Sequence, residues 1–314
     1  MVTERDAWRV LLLSLGFFLG AQVAIASLGV ILWAMEANIR DFLRLDWLLV
    51  VNVLLTTIAL LTPVFAQGRR KRWMWRQALR WRPLPWWIAL EVTFATLALN
   101  LAVSQGILWV LSMPFFQQAR ESSYGELLEA IAHHQGMPLL LVAAVMLQAL
   151  PEELTFRGVV QQGLERRLSP SVAIGLTSLF FALFHLNPLQ ALSVLPTSLF
   201  WGWVVFRTQS IIPTVVAHAL QNGLTAMALS FPSLAGQGDG SPLAQPPNWL
   251  AALVGFLLWL GLTWHLVRRF SVPKEGGEHG ARESVTFTSH QTGVTDGGDG
   301  GGSLGVDERS GLTS

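Results

Sequence analysis

The chain has 314 residues, of which 52% are hydrophobic and only 13% are charged, and its formal net charge is +1. A mean hydropathy of +0.46 is too high for a water-soluble domain, so the composition predicts a polytopic membrane protein. The sequence contains no cysteine, which excludes disulfides, thiolate metal sites and a cysteine nucleophile. The near-zero net charge gives no indication of nucleic-acid binding.

The hydropathy pattern predicts about eight transmembrane helices, because a bilayer core about 30 Å thick needs roughly 20 apolar residues per helix. The predicted spans lie near residues 10–34, 47–66, 86–112, 138–162, 171–186, 188–206, 211–230 and 248–267. The fifth span is short, and Asn187 followed by Pro188 favours a tight hairpin between the fifth and sixth spans. The predicted fold class is therefore all-α, a helical membrane bundle.

The most basic stretch of the chain follows the second predicted span, and it predicts the orientation of the protein. It contains Arg69, Arg70, Lys71, Arg72, Arg76, Arg80 and Arg82. Cytoplasmic loops collect Lys and Arg, so this loop and, by counting spans outward, both termini are predicted to be cytoplasmic. Tryptophans interleaved with these cations also predict an amphipathic segment that lies on the membrane surface against anionic lipid.

Composition divides the chain into five parts. We predict N-terminal transmembrane helices with a basic cytoplasmic loop over 1–112, an extracytoplasmic linker over 113–137, a helical core over 138–230 and a last transmembrane helix within 231–270. Residues 271–314 are rich in Gly and Ser, cannot bury a core and are predicted to be a disordered tail.

Three polar clusters interrupt the otherwise apolar segments, at residues 151–157, 181–185 and 218–222. Ionisable side chains at membrane depth are costly unless they face a bundle interior or water, so each cluster is a candidate functional site. Residues four apart share a helix face. This spacing places Glu153 to pair with Arg157.

The remaining polar residues of these clusters suggest hydrolytic chemistry. Glu152 lies about 100° around the helix from Glu153, which leaves it as the free carboxylate, able to hold or receive a proton. Glu152 and His185 can activate a water for attack on a carbonyl carbon, while His218 and Asn222 share a helix face and can donate to the developing oxyanion.

A metal-dependent version of the same reaction stays open at this stage. Glu152, His185 and His218 could hold one divalent ion such as zinc, with a coordination position left for water. Residue types alone do not separate a metal-bound water from a metal-free one.

The clusters also resemble the signatures of a known family, the CPBP intramembrane proteases. This family includes the type II CAAX prenyl endopeptidases and Abi-like bacterial relatives tied to bacteriocin processing and immunity. Its signatures match, in order and spacing, over about residues 138–230 as Glu152-Glu153-x-x-x-Arg157, Phe181-x-x-x-His185 and His218-x-x-x-Asn222.

The resemblance implies an endopeptidase that cleaves a membrane-associated protein or peptide, and it makes residues 138–230 the catalytic helical core. Carried over by position, it implies a catalytic pair at Glu152 and His185 and oxyanion donors at His218 and Asn222. Glu153 and Arg157 become supporting groups. Members of the family are described either as metalloproteases or as enzymes with a glutamate-activated, metal-free water.

Other interpretations of the same residues remain. The protein could be a non-proteolytic membrane protein, either a proton-coupled transporter or an immunity or scaffold factor. Glu153 and Arg157 could be an ion pair that only fixes helix packing. The compact chain favours a bacterial cytoplasmic membrane, where an anchored peptide is expected as substrate rather than a prenylated protein.

Overall fold

The computed structural model describes residues 1–34, 46–113, 138–230 and 246–270, and within these ranges the regular structure is helical. The α-helices are α1 (Glu4–Ala34), α2 (Asp46–Lys71), α3 (Trp75–Ala78), α4 (Trp86–Ser112), α5 (Pro138–Glu153), α6 (Pro170–Leu183), α7 (Pro188–Thr208), α8 (Ile212–Ser230) and α9 (Trp249–Arg269). From α5 the chain continues into a π-helical segment, π1 (Leu154–Gln161), and a closing α-helical turn, Gln162–Leu164. The predicted all-α fold is confirmed.

Each of the eight predicted spans coincides with a helix. Five helices among the described residues are long and apolar enough to cross a membrane, over Glu4–Leu28, Val50–Lys71, Trp86–Ser112, Pro188–Thr208 and Trp249–Arg269. Their outer faces expose large apolar side chains, as α9 does at Leu253 and Leu257, which suits contact with lipid. The protein is an integral membrane protein, and spanning by the three other helices stays a prediction. The short α6 is among those three.

Three of the predicted segments lie outside the described residues. These are most of the 113–137 linker, residues 231–245 before the last helix, and the 271–314 tail. Their predicted properties therefore remain predictions.

Helix packing places α5 and π1 in the middle of the described helices. Helix α5 packs against α2 and α8, whereas π1 packs against α1 and α6. Helix α4 packs against α7, α8 and α9 on the other side of the bundle. Phe156 of π1 makes edge-to-face contacts with Phe181 of α6 and with Phe184, the residue that follows α6, at centroid distances of 5.3 and 5.1 Å. The acidic pair at the junction of α5 and π1 therefore lies inside the bundle.

The π-helical segment is a feature that the sequence pattern does not predict. Pro151 lies inside α5 shortly before π1, and a proline there removes one backbone hydrogen bond and crowds the preceding turn. π-Helical turns are rare and occur often at functional sites. Every residue of π1 is buried, so the widened turn presents side chains to the bundle interior.

The basic segment between α2 and α4 is docked on the protein. Trp73, Leu79 and Arg80 are buried, and the backbone N–H of Ile211 donates to the carbonyl of Arg80 at 3.1 Å. A Cβ atom on Gly158 of π1 would lie only 3.3 Å from the backbone of Leu79, so glycine permits this close approach. The buried residues give this segment one face against the protein, and its predicted position on the membrane surface against anionic lipid stays a prediction.

Candidate active site

Glu153 and Arg157 form a fully buried ion pair, as their spacing predicts. Arg157 Nη1 donates to Glu153 Oε1 at 3.0 Å, and neither side chain is exposed. Arg157 Nη2 also donates to Ser198 Oγ at 2.7 Å, and the guanidinium lies 4.5 Å from the centroid of the Phe181 ring. The pair is therefore anchored to α6 and α7 as well as to its own helix.

His218 lies between the two carboxylates. Its Nδ1 is 3.1 Å from Glu153 Oε1 and its Nε2 is 3.5 Å from Glu152 Oε2. Because a carboxylate accepts, Nδ1 carries the hydrogen toward Glu153, which leaves Nε2 as the nitrogen directed at Glu152. The spacing within α8 had placed His218 with Asn222, whereas the structure places it with the acidic pair of α5.

The two neighbouring glutamates have different surroundings. Glu153 is fully buried, and its second oxygen accepts a hydrogen bond from Thr214 Oγ1 at 2.8 Å. Glu152 keeps 15% of its side chain exposed, and its Oε2 lies 3.5 Å from His218 Nε2. Glu153 is paired with Arg157, so Glu152 is the carboxyl group of the two that keeps some exposure.

His185 lies just beyond the end of α6, and its tautomer follows from its contacts. The Nδ1 of His185 is 3.0 Å from the carbonyl oxygen of Phe181. A carbonyl only accepts, so Nδ1 carries the hydrogen and Nε2 of the neutral ring is an acceptor. The rings of His185 and His218 both contact the ring of Phe181, at centroid distances of 5.1 and 5.9 Å. The two imidazoles therefore lie on one aromatic side chain, with Glu152 beside His218.

Asn222 holds α8 to α5. Its Nδ2 donates to the carbonyl oxygen of Val145 at 3.1 Å. The amide carries two hydrogens, so one remains for another acceptor. Among the described residues Asn222 and His218 do not share a hydrogen-bond partner, and the expectation that they point at one object stays a prediction.

Aromatic side chains hold His218 in place. The indole of Trp201 lies 4.3 Å from the imidazole at an interplanar angle of 32°, and its Nε1 donates to Thr96 Oγ1 of α4 at 3.0 Å. His218 is consequently 4% exposed. A ring packed and hydrogen-bonded on its Nδ1 side has little freedom to rotate.

A divalent metal was one alternative for this site, with Glu152, His185 and His218 as ligands. Among the described ranges no group of three or more His, Asp or Glu side chains is arranged to hold a metal ion. His218 Nδ1 is directed at Glu153, which leaves Nε2 as the ring nitrogen that could bind a metal. The metal-dependent alternative therefore stays a prediction.

Sequence reasoning missed several residues that complete the site. Thr214, Ser198 and Trp201 each contact a charged or imidazole member of the site. Thr214 lies four residues before His218 on the same face of α8, a spacing that could have found it. No local signal identifies Ser198 and Trp201, because both lie on α7 and contact site residues of other helices.

Comparison with known proteins agrees with the motifs. Neither the comparison with curated proteins nor the comparison with solved structures gives a match. The family model described as "Type II CAAX prenyl endopeptidase Rce1-like" matches residues 134–224. That range includes all seven motif residues, and it confirms the resemblance to the CPBP proteases: the core of this integral membrane protein is similar to the type II CAAX prenyl endopeptidases.

Proposed function

We propose that this protein is an intramembrane endopeptidase that hydrolyses a peptide bond of a membrane-associated protein or peptide. One observation carries the proposal: Glu152, a partly accessible carboxylate, lies 3.5 Å from the imidazole of His218 in a helical core that matches an endopeptidase family. General-base hydrolysis requires a carboxylate of this kind, whereas a buried ion pair with a purely structural role does not.

Glu152 acts as the general base in this proposal. It accepts a proton from a water molecule while the water oxygen attacks the carbonyl carbon of the substrate. His185 assists through Nε2, the acceptor nitrogen of its neutral ring. When the tetrahedral intermediate collapses, the C–N bond breaks and Glu152 returns the proton to the leaving amine.

His218 and Asn222 stabilise the oxyanion. The amide hydrogen of Asn222 that Val145 does not use is available to the oxyanion. When both ring nitrogens carry hydrogens, His218 can donate from Nε2, because Nδ1 is directed at Glu153. This nitrogen lies 3.5 Å from Glu152 Oε2, so the oxyanion is proposed to form next to Glu152. Donors held in place by packing cost no reorganisation during the reaction, which is why such groups stabilise developing charge well.

Glu153 and Arg157 support the site without touching the substrate. Glu153 orients His218, and Arg157 balances the charge of Glu153 and connects it to Ser198. This arrangement uses the ion pair for packing and for positioning, so the structural interpretation of the pair and the catalytic one are compatible.

The substrate is expected to be a peptide held at the membrane. The protein is embedded in the bilayer through its apolar helices, so a substrate reaches the core most readily from the lipid or from its surface. The CAAX prenyl endopeptidase description makes a prenylated peptide one test substrate, and an unprenylated peptide with an apolar anchor is the other.

The test compares wild type and Glu152→Gln, each reconstituted in lipid nanodiscs and incubated with mixed prenylated and apolar-anchored peptides. Products are identified by mass spectrometry. Glu4→Gln is the matched control. It replaces the same side chain in the same way, but in a largely exposed ion pair with Arg167. We expect cleavage to fall by at least about a hundredfold in Glu152→Gln and to persist in Glu4→Gln.

Two further arms distinguish the alternatives. Asn222→Ala should reduce cleavage roughly tenfold or more if the amide stabilises an oxyanion, whereas a proton relay through Glu152 and His185 would not need Asn222. A chelator should leave cleavage unchanged if the water is metal-free. Cleavage that survives Glu152→Gln at the wild-type rate would refute the proposed role of Glu152.

A further inference from the structure

A cavity of about 340 Å³, lined by both apolar and basic side chains, lies apart from the candidate active site. It is bounded by the basic segment that connects α2 to α4, by the closing turn after π1, and by the residue that follows α7. Six of its lining residues carry charged or amide side chains: Arg76, Gln77, Arg80, Arg82, Gln162 and Gln209. The described lining contains no Asp or Glu, so the cavity favours an anion.

The cavity is formed by hydrogen bonds that the folded protein already contains. Gln162 Nε2 donates to the carbonyl of Gln77 at 3.0 Å, and Ser210 Oγ donates to the carbonyl of Arg82 at 2.6 Å. These bonds connect three separate parts of the chain around the opening. A ligand therefore meets a largely preformed site and orders little backbone when it binds.

Two cations of the cavity are free to meet a ligand. Arg80 is buried and forms an ion pair with Glu165, so its charge is offset within the protein. The exposed side chains of Arg76 and Arg82 have no hydrogen-bond or ion-pair partner among the described residues. Two guanidinium groups beside one cavity suit the oxygens of a phosphate group.

The position of the cavity identifies the source of that phosphate. Candidate membrane spans end at Lys71 and at Thr208 and begin at Trp86, and the cavity lies beside these three ends. It therefore lies where lipid headgroups meet water. Trp81 of the cavity lining is 39% exposed and Trp86 is 73% exposed, and exposed indoles are common at that level.

We propose that this cavity binds the phosphate of an anionic phospholipid headgroup. The site is distinct from the proposed catalytic residues. It does not depend on protease activity.

The experiment titrates detergent-purified protein with phosphatidylglycerol and, separately, with phosphatidylcholine, and counts bound lipid by native mass spectrometry. The variant is Arg76→Gln with Arg82→Gln. The control is Arg69→Gln with Arg70→Gln, which removes the same charge from exposed positions in the last turn of α2. We expect the cavity variant to weaken phosphatidylglycerol binding by at least about tenfold, and the control to weaken it much less.

A second variant, Gln77→Trp, tests the cavity without changing charge. The larger side chain fills the opening, so phosphatidylglycerol binding should be lost while the net charge is preserved. Equal losses in the cavity and control double variants would overturn the proposal in favour of general surface attraction. Equal binding of phosphatidylcholine, or binding of inorganic phosphate at least as tight as that of phosphatidylglycerol, would also overturn it.

Discussion

Removing the guanidinium of Arg157 should destabilise the fold strongly. Arg157→Met keeps an unbranched side chain of similar length but leaves Glu153 as a fully buried carboxylate without its cationic partner. Thr214 and His218 would remain as the hydrogen-bond partners of that carboxylate. The negative charge of Glu153 would then be stabilised only by the hydrogen bonds from Thr214 and His218, or it would be removed by protonation of Glu153.

The size of the effect follows from what is lost. Breaking a buried ion pair by removing one partner typically costs about 3–5 kcal/mol. A charge-assisted hydrogen bond such as the one from Arg157 Nη2 to Ser198 Oγ contributes about 1.5–3 kcal/mol, and the contact with the Phe181 ring contributes up to about 2 kcal/mol. These contributions overlap, so we expect a loss of about 3–5 kcal/mol in the free energy of unfolding.

The assay is reversible unfolding of the purified protein in mixed micelles, with SDS as denaturant. The informative control is the double variant Glu153→Gln with Arg157→Met, which removes both charges. It should recover at least about half of the loss, because replacing a buried pair by neutral groups is far less costly than leaving one charge unpaired. A loss below about 1 kcal/mol in Arg157→Met, or no recovery in the double variant, would refute the reasoning.

Two further stability predictions use the same unfolding assay. Gly163→Ala should cost about 1–3 kcal/mol, because its Cβ would lie 2.6 Å from the carbonyl oxygen of Thr3. Gly175→Ala is the control, because a Cβ atom there would have no heavy atom within 4 Å. It should leave the free energy of unfolding unchanged or raise it by up to about 1 kcal/mol. Similar losses in both variants would contradict this packing. Thr214→Val should lower the free energy of unfolding by about 1.5–3 kcal/mol, since it removes the hydroxyl that donates to buried Glu153 at 2.8 Å. An effect under about 0.5 kcal/mol would show that this hydrogen bond contributes little.

The positions of the helices and the local pairs within them follow from the sequence alone. Apolar runs of the length that a bilayer requires predicted a helix at each of the eight expected positions. The spacing of Glu153 and Arg157 predicted their ion pair, because residues four apart on a helix are neighbours whatever the helix packs against. The three ordered motifs also indicated the family that the matched region resembles.

Contacts between helices depended on the tertiary structure. The position of His218 between Glu152 and Glu153 depends on how α8 crosses α5, and no spacing within either helix encodes that crossing. The π-helical form of Leu154–Gln161 likewise reflects packing against several neighbours at once. Sequence periodicity reports only which residues share a face of one helix, whereas the identity of the residue opposite that face is decided when the helices pack.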